Sequence, residues 1–272
     1  VGNMAEIMAN SDIAIGAAGS TTWERCCLGL STIQIVTAKN QQFSAQTLAR
    51  QNIVKLVNKI KEVVYLLESA FKWIENISSS ALEVCDGMGS YKVFNKMTDC
   101  KITLEKFGEV ELCNYINLNE SDKLQALNMR NHIRIKKWMH NQGSISEEDH
   151  FGFIENLEID TVRRYFLIKQ KDNIIGSINF SKINFENSLE LGIYTNPFFQ
   201  IKDAGRLLES AASQYAFIEI GVKKIKLEVY SDNERAVNFY KKCDFNLINT
   251  KKANHQNIMY MEKIKVLEGV SE

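Results

Sequence analysis

The chain has 272 residues, 45% of them apolar and 24% charged, and its 33 Lys and Arg are balanced by 33 Asp and Glu. That is material for one large or two modest globular domains, and two are expected. With no dense Lys/Arg block, a nucleic-acid surface driven by phosphate neutralisation is not indicated. No apolar run approaches the roughly 20 residues of a membrane helix, and the start VGNMAEIMANSD is no signal peptide. The six cysteines, Cys26, Cys27, Cys85, Cys100, Cys113 and Cys243, form no C-x-x-C pair and have no His at zinc-ligand spacing. The expectation is therefore a cytoplasmic protein with reduced thiols, no disulfide and no metal. A first residue Val running straight into an amphipathic pattern (Met4, Ile7, Met8) suggests a segment once upstream.

Residues 3–36 read helix, strand, loop, helix, strand: NMAEIMANS, DIAIGAA, GSTT, WERCCLGL, TIQIVTA. Strands and helices alternating at this spacing predict a parallel α/β unit. From 44 to 84 the pattern is helical throughout, interrupted near Asn52 and at the Ser78–Ser80 cluster. DGMGSYKVF at 86–94 reads as a glycine-containing turn, with the domain boundary just after it, giving domains 1–97 and 98–272. Beyond it ITLEKFGEVELCNYI predicts strand, and KLQALNMRNHIRIKKWMH and EEDHFGFIENLE predict helices. RRYFLIKQKDNIIGSINFSKIN and LELGIYTNP carry the β-branched residues and turn signals of an antiparallel meander. Helix AGRLLESAASQYAFIEIG, strand KKIKLEVY, helix NERAVNFYKKC and a terminal strand near NIMYMEKI complete the chain.

The segment LEVYSDNERAVNFYKKCDF raises a chemical question. Ala236, Val237, Phe239, Tyr240 and Cys243 recur at helical spacing, so Tyr240 lies on or beside the stripe that faces the interior. Either the phenol is core or its hydroxyl is aimed at something. Asn233 opens the helix and is a preferred N-cap residue. Upstream, QIKDAGRLLE opens another helix, whose first backbone N–H groups form an anion site if a loop lets a phosphate approach. Gly192, inside strand LELGIYT, marks an expected bulge.

In this order and spacing, residues of about 100–265 resemble a GCN5-related N-acetyltransferase (GNAT): an α+β domain with a mixed, mostly antiparallel sheet. The resemblance implies acetyl-CoA as co-substrate. Its pyrophosphate would sit on Gln200, Lys202, Ala204, Gly205 and Arg206, with Asp203 standing where the family pattern has glycine. Ile193 and Tyr194 would hold the thioester and its oxyanion through the β-strand backbone, and Asn233 would contact the pantetheine arm. Tyr240 would be the general acid: a phenol, ordinarily ionising near pH ~10, stays protonated and can donate to a departing thiolate. Glu228 is a candidate for ordering a water that removes the amine proton, and a surface carboxylate is the alternative.

MRNHIRIKKWM, FLIKQKDNIIGSINFSKIN and LGIYTNPF together resemble the acetyltransferases of bacterial pseudaminic acid synthesis, a pathway serving flagellin glycosylation. These act on the 4-amino group of UDP-4-amino-4,6-dideoxy-N-acetyl-β-L-altrosamine. By that resemblance Arg130, His150, Lys182 and Tyr194 would line the nucleotide-sugar site. Singly, His150 reads as a helix-surface residue and Lys182 as a solvated one. The run GAAGSTTWERCCLGLSTIQIVTAKNQ resembles the C-terminal lobe of the same pathway's GT-B-like UDP-sugar hydrolase, a partial Rossmann-like segment. Ser20, Thr21, Glu24, Asn40 and Gln41 would then bind UDP. The lobe supplying that family's catalytic histidine has no counterpart in the sequence, so residues 1–97 are not expected to hydrolyse anything alone. The expected partner is a UDP-amino-sugar, with no nucleic acid and no membrane, and a homodimer is left open. The alternatives are an acetyltransferase of protein or peptide termini, and a nucleotide-binding module without turnover.

Overall fold

The computed structural model describes residues 2–185, 187–253 and 256–265. The chain falls into two compact units, Val1–Ser90 and Tyr91–Glu272.

The first unit contains α1 (Met4–Ala9), β1 (Ile13–Ala17), α2 (Thr21–Cys27), β2 (Ser31–Ile35), α3 (Gln42–Arg50), β3 (Lys55–Val57), α4 (Ile60–Glu68) and α5 (Ile74–Leu82). Its three strands pair in parallel in the order β1-β2-β3. The central strand is buried along nearly its whole length, as a strand between two neighbours with covered faces must be. Ile33, Val57, Val63, Trp73 and Ile77 form one buried cluster of this unit, and Cys26, Leu48, Ile53, Val54 and Ala81 form a second.

The helical reading of 44–84 is corrected in part. The interruption expected near Asn52 is present, since α3 ends at Arg50 and Asn52 takes φ 60°. Residues 55–57, however, are a strand paired with β2, and a second helix break lies at Ser69–Trp73, where the Trp73 indole N–H donates to the Leu66 carbonyl. The Ser78–Ser80 cluster does not interrupt α5. Ser80 bonds back to the Asn76 carbonyl, while Ile77 and Ala81 fix the buried face. The expected turn at 86–94 is in fact largely helix, α6 (Gly89–Lys96).

The second unit continues with β4 (Cys100–Leu104), β5 (Gly108–Asn114), α7 (Glu120–Asn131), α8 (Ile133–Lys136), α9 (Glu147–Asn156), β6 (Arg164–Gln170), β7 (Asn173–Asn184), β8 (Ser188–Thr195), α10 (Ala204–Gln214), β9 (Lys224–Tyr230), α11 (Glu234–Lys241), β10 (Asn246–Ala253) and β11 (Gln256–Ile264). Its sheet runs β10-β11-β9-β8-β7-β6-β5-β4, antiparallel except where β8 meets β9. A right-handed helical crossover is the ordinary way to join parallel neighbours, and α10 occupies that connection. β10, which the sequence reading missed, pairs with β11. It carries the polar run NTKK and therefore lacks the alternation that announces a strand.

Periodicity explains how these elements lie. In β9, Ile225, Leu227 and Val229 are buried while Lys224, Lys226, Glu228 and Tyr230 occupy the other face. In α10, Ala204, Leu207, Leu208, Ala211 and Ala212 recur at helical spacing and join Phe166, Ile178, Phe180 and Tyr215 in one core. Asn119, Ser146 and Asn233 cap α7, α9 and α11 by accepting from the N–H of Asp122, Asp149 and Ala236.

The expected bulge at Gly192 is a correction. Against β7, residues 190–195 pair in unbroken register, and the shift falls between Ser181 and Asn184. The glycine that geometry does demand is Gly176 on β7. A Cβ there would lie 2.3 Å from the Tyr194 carbonyl oxygen and 2.7 Å from Leu208. Gly176→Val should therefore cost about 1–3 kcal/mol through overpacking against backbone that cannot yield. Urea denaturation of the two proteins measures it, and an unchanged midpoint would contradict this packing.

Candidate active site at the parting of two strands

β8 and β9 pair only through Ser188–Lys224, Leu189–Ile225 and Glu190–Lys226. Past Glu190 the two strands no longer pair with each other, and a cleft of about 770 Å³ opens there. Leu191 to Thr195 line one side; Glu228, Val229 and Tyr230 line the other. Gln200 and Asp203 ahead of α10 and Ala204, Gly205 and Arg206 at its start border it, and Asn233 at the N-cap of α11 and Ala236, Phe239 and Tyr240 within that helix line it too. Ile193, Tyr194, Gln200, Ala204, Gly205, Arg206, Glu228, Asn233 and Tyr240, all singled out from the sequence, are thus gathered at one place. Lys202 is exposed and outside the lining.

Local chemistry shapes the rim. Asp203 adopts a left-handed conformation, φ 61°, at the N-cap of α10 without a side-chain cap bond. Aspartate tolerates that region better than most non-glycine residues, which is how it can stand there. The loop before it is held by buried Asn196. Its amide donates to the Ile174 carbonyl at 2.8 Å, and its oxygen accepts from the N–H groups of Phe198 and Phe199. Nothing in the sequence reading pointed to Asn196; an asparagine followed by proline after a strand was the available signal. Arg206 donates to the Lys242 carbonyl at 3.2 Å, joining α10 to the end of α11.

Tyr240 is buried, wedged edge-on against Phe239 and Phe245, yet it lines the cleft. Burial, with Cys243 and Glu209 nearby, pushes its phenol well above the ordinary tyrosine value. Such a group keeps its proton around neutrality and has it to donate. Glu228 also lines the cleft, its carboxylate 3.1 Å from Nε2 of His140.

The nucleotide-sugar residues inferred from the sequence are not gathered in the same way. Tyr194 lines the cleft, and its hydroxyl lies 3.2 Å from that of Tyr115, which is 2.9 Å from Ser177 Oγ. Arg130 lies near Tyr194, Tyr165 and Tyr115, with its guanidinium pushed down by burial. One of its terminal nitrogens donates to the Asn141 carbonyl, and the other is shut from solvent with no partner among the described residues. His150 is outside the lining: its ring is buried, Nε2 lies 3.0 Å from the Lys123 carbonyl, and burial lowers its pKa. Lys182, exposed and at φ 48°, pairs with Glu190 at 2.7 Å.

In the first unit Ser20, Thr21, Glu24 and Asn40 are exposed around the start of α2 and the turn Lys39–Gln41. Gln41 accepts from both the N–H and the hydroxyl of Thr37, and its amide nitrogen lies 3.8 Å from where a Cβ on Gly19 would stand. The GSTT turn and the Asn40–Gln41 pair therefore share an edge.

Residues 128–245 match the model of the acetyltransferase (GNAT) family. The chain is 33% identical over 138 residues to acetyltransferase PseH of Campylobacter jejuni, an alignment covering 51% of this chain and 85% of that protein. The chain belongs to the GNAT family. Among solved structures, this GNAT chain is similar to the spermidine N-acetyltransferase of Vibrio cholerae crystallised with CoA and spermine. The TM-score is 0.52 at 23% identity, over 57% of this chain and 95% of that one, a likeness of fold. It is also similar to the C. jejuni PseH structure determined in complex with acetyl coenzyme A, at 25% identity and a TM-score of 0.48, over 58% and 99%. Among the described residues no helix is long and apolar enough to cross a membrane.

The raised Tyr240 pKa has a consequence for stability. The folded state holds this proton more tightly than the unfolded chain does. The stability so supplied is therefore complete below about pH 10, the ordinary phenol value, and is lost as pH rises above it. Urea denaturation of the wild type and Tyr240→Phe across that range should show the wild type losing ground to the variant only on the alkaline side. A difference independent of pH would contradict the buried placement.

Proposed function

We propose that this chain transfers an acetyl group from acetyl-CoA to the 4-amino group of a UDP-linked amino-deoxy sugar, in the pseudaminic acid pathway whose acetyltransferases the sequence resembles. The observation that carries the acetyl-transfer part is the cleft at the parting of β8 and β9, with the Tyr240 phenol in its wall. Strand edges that have lost each other as partners offer backbone groups to a pantetheine arm. The start of α10 offers unpaired N–H groups to a pyrophosphate, which Gln200, Gly205 and Arg206 would border, with Lys202 adjacent. The co-substrate fits these residues: the carboxylate that Asp203 places at that rim is countered by Arg206 and Arg235 in the same lining.

In this reading the neutral amine attacks the acetyl carbon, the developing oxyanion is held by the β8 backbone near Ile193 and Tyr194, and the C–S bond breaks as Tyr240 donates its proton to sulfur. Asn233 both caps α11 and faces the arm. Arg130, which is outside the lining of the cleft, and His150 and Lys182 are assigned to the nucleotide sugar by resemblance alone. A polycationic acceptor such as spermidine would meet the like charge of Arg134 in the lining. For the first unit, we propose a GT-B-like C-terminal lobe that takes UDP at Ser20, Thr21, Glu24, Asn40 and Gln41.

Two outcomes are expected. Incubation with acetyl-CoA and either the UDP-amino-sugar or peptides, followed by mass spectrometry, should show a gain of about 42 Da, an acetyl group replacing one amine hydrogen, on the sugar alone; acetylated peptide termini and an unmodified sugar would reverse the substrate assignment. Tyr240→Phe should retain acetyl-CoA affinity while turnover falls about 10²–10⁴-fold, the usual range for loss of a general acid. Unchanged turnover would take Tyr240 out of the reaction.

A further inference from the structure

The acid has a candidate in Tyr240; for the base, the sequence offered Glu228 acting through an ordered water, and the structure sets a second group beside that carboxylate. His140 lies beyond α8, and its side chain lines the same cleft. Nε2 is 3.1 Å from a Glu228 carboxylate oxygen, and Nδ1 is 3.4 Å from the Tyr230 hydroxyl. Glu228 and Tyr230 are alternate residues of β9, so both project from one strand face, and the His140 ring meets that of Tyr230 edge-on at 5.9 Å.

This arrangement fixes a tautomer. An ionised carboxylate can only accept, so the contact to Glu228 requires a proton on Nε2. In the neutral ring the lone pair is then on Nδ1. The Tyr230 hydroxyl, at 3.4 Å, is beyond the usual O–H hydrogen-bond distance and leaves that lone pair available. Imidazole is the side chain whose proton exchange ordinarily falls near neutrality, whereas a carboxylate's falls far below it, which makes the ring the better acceptor for an amine proton. A carboxylate behind an imidazole also stabilises the cation that forms, the logic by which hydrolytic triads orient their histidine.

We propose that His140 is the general base of the acetyl transfer and that Glu228 is its positioning residue. The inference rests on the reading of this cleft as the site of amine acetylation. As the amine nitrogen bonds to the acetyl carbon, its proton passes to Nδ1 of His140, the C–S bond breaks, and the thiolate takes the phenol proton of Tyr240. The imidazolium stands against the Glu228 carboxylate. Because the His140 side chain is 70% exposed, it discharges to water, which also returns a proton to Tyr240. Other charged or titratable groups in the same lining are Arg134, Tyr194, Asp203, Arg206, Arg235 and Tyr240; outside it, Lys182 of β7 feels the charge of Glu228, and Tyr260 of β11 is paired across from Glu228.

Two measurements test it. Nitrogen-15 NMR of the histidine rings, with the His140 signals assigned by their loss in His140→Gln, should show the Nε2–H tautomer in the wild type and a shift toward a tautomer mixture in Glu228→Gln. In steady-state kinetics with acetyl-CoA and the UDP-amino-sugar, His140→Gln should lower kcat about 10²-fold or more, leave both KM values near wild type, and flatten the acid limb of the kcat profile against pH. Glu228→Gln should give a smaller loss with the acid limb retained but displaced. An Nδ1–H tautomer, or wild-type kcat and an unchanged acid limb in His140→Gln, overturns the assignment while leaving acetyl transfer standing. A wild type that releases no thiol from acetyl-CoA with this amine removes the functional reading, and His140's role with it.

Discussion

The parting of β8 from β9 is the constraint on which the second unit's architecture depends. In a sheet that is otherwise antiparallel, these two strands run parallel because α10 intervenes between them, and they hold together only from Ser188 to Glu190. β8 remains fully engaged with β7 on its other edge, and β9 with β11. Each strand is therefore rigidly supported from outside while the edges between them are unpaired with each other. Backbone groups without a strand partner must be satisfied by water or by a ligand, so the sheet itself creates a slot suited to an extended, amide-bearing molecule.

Packing then decides what faces the slot. α10 lies over β7 and β8 through Leu207, Leu208, Ala211 and Ala212, and Gly176 lets the Tyr194 backbone and Leu208 come close. α11 meets α10 at Gly205, where an added Cβ would stand 3.3 Å from the Phe239 ring. That approach, with Phe245 behind, leaves the Tyr240 ring in the core and brings the residue to the cleft wall. Core and site are thus not alternatives for this phenol. The same burial that makes it part of the hydrophobic interior holds its proton in place.

Much of this was legible in the sequence because the relevant signals are local. The β6–β8 meander, α10, β9 and α11 follow from alternation, helical periodicity and capping residues, and the family pattern draws Gln200, Gly205, Asn233 and Tyr240 toward one function. What was not legible depends on partners distant in sequence. β3 and β10 are strands only because β2 and β11 offer them edges. A bulge was expected at Gly192, whereas β8 keeps its register with β7 there and the cleft opens where the pairing of β8 with β9 stops. His140 reads as an ordinary polar residue after a basic run, and only the fold brings it to Glu228, 88 positions away. His150, conversely, matched a motif, but the fold buries its ring outside the cleft lining, with Nε2 3.0 Å from the Lys123 carbonyl.

The central claim is that a thioester enters between the parted strands and meets the phenol of Tyr240. A crystal structure of the protein with coenzyme A tests it most directly. The account predicts the pantetheine arm lying between β8 and β9, the pyrophosphate at the start of α10, and the Tyr240 hydroxyl within about 3.5–4 Å of the sulfur, a reach set by hydrogen-bond geometry and the size of sulfur. Coenzyme bound elsewhere, or a Tyr240 oxygen turned away from the sulfur, would contradict it.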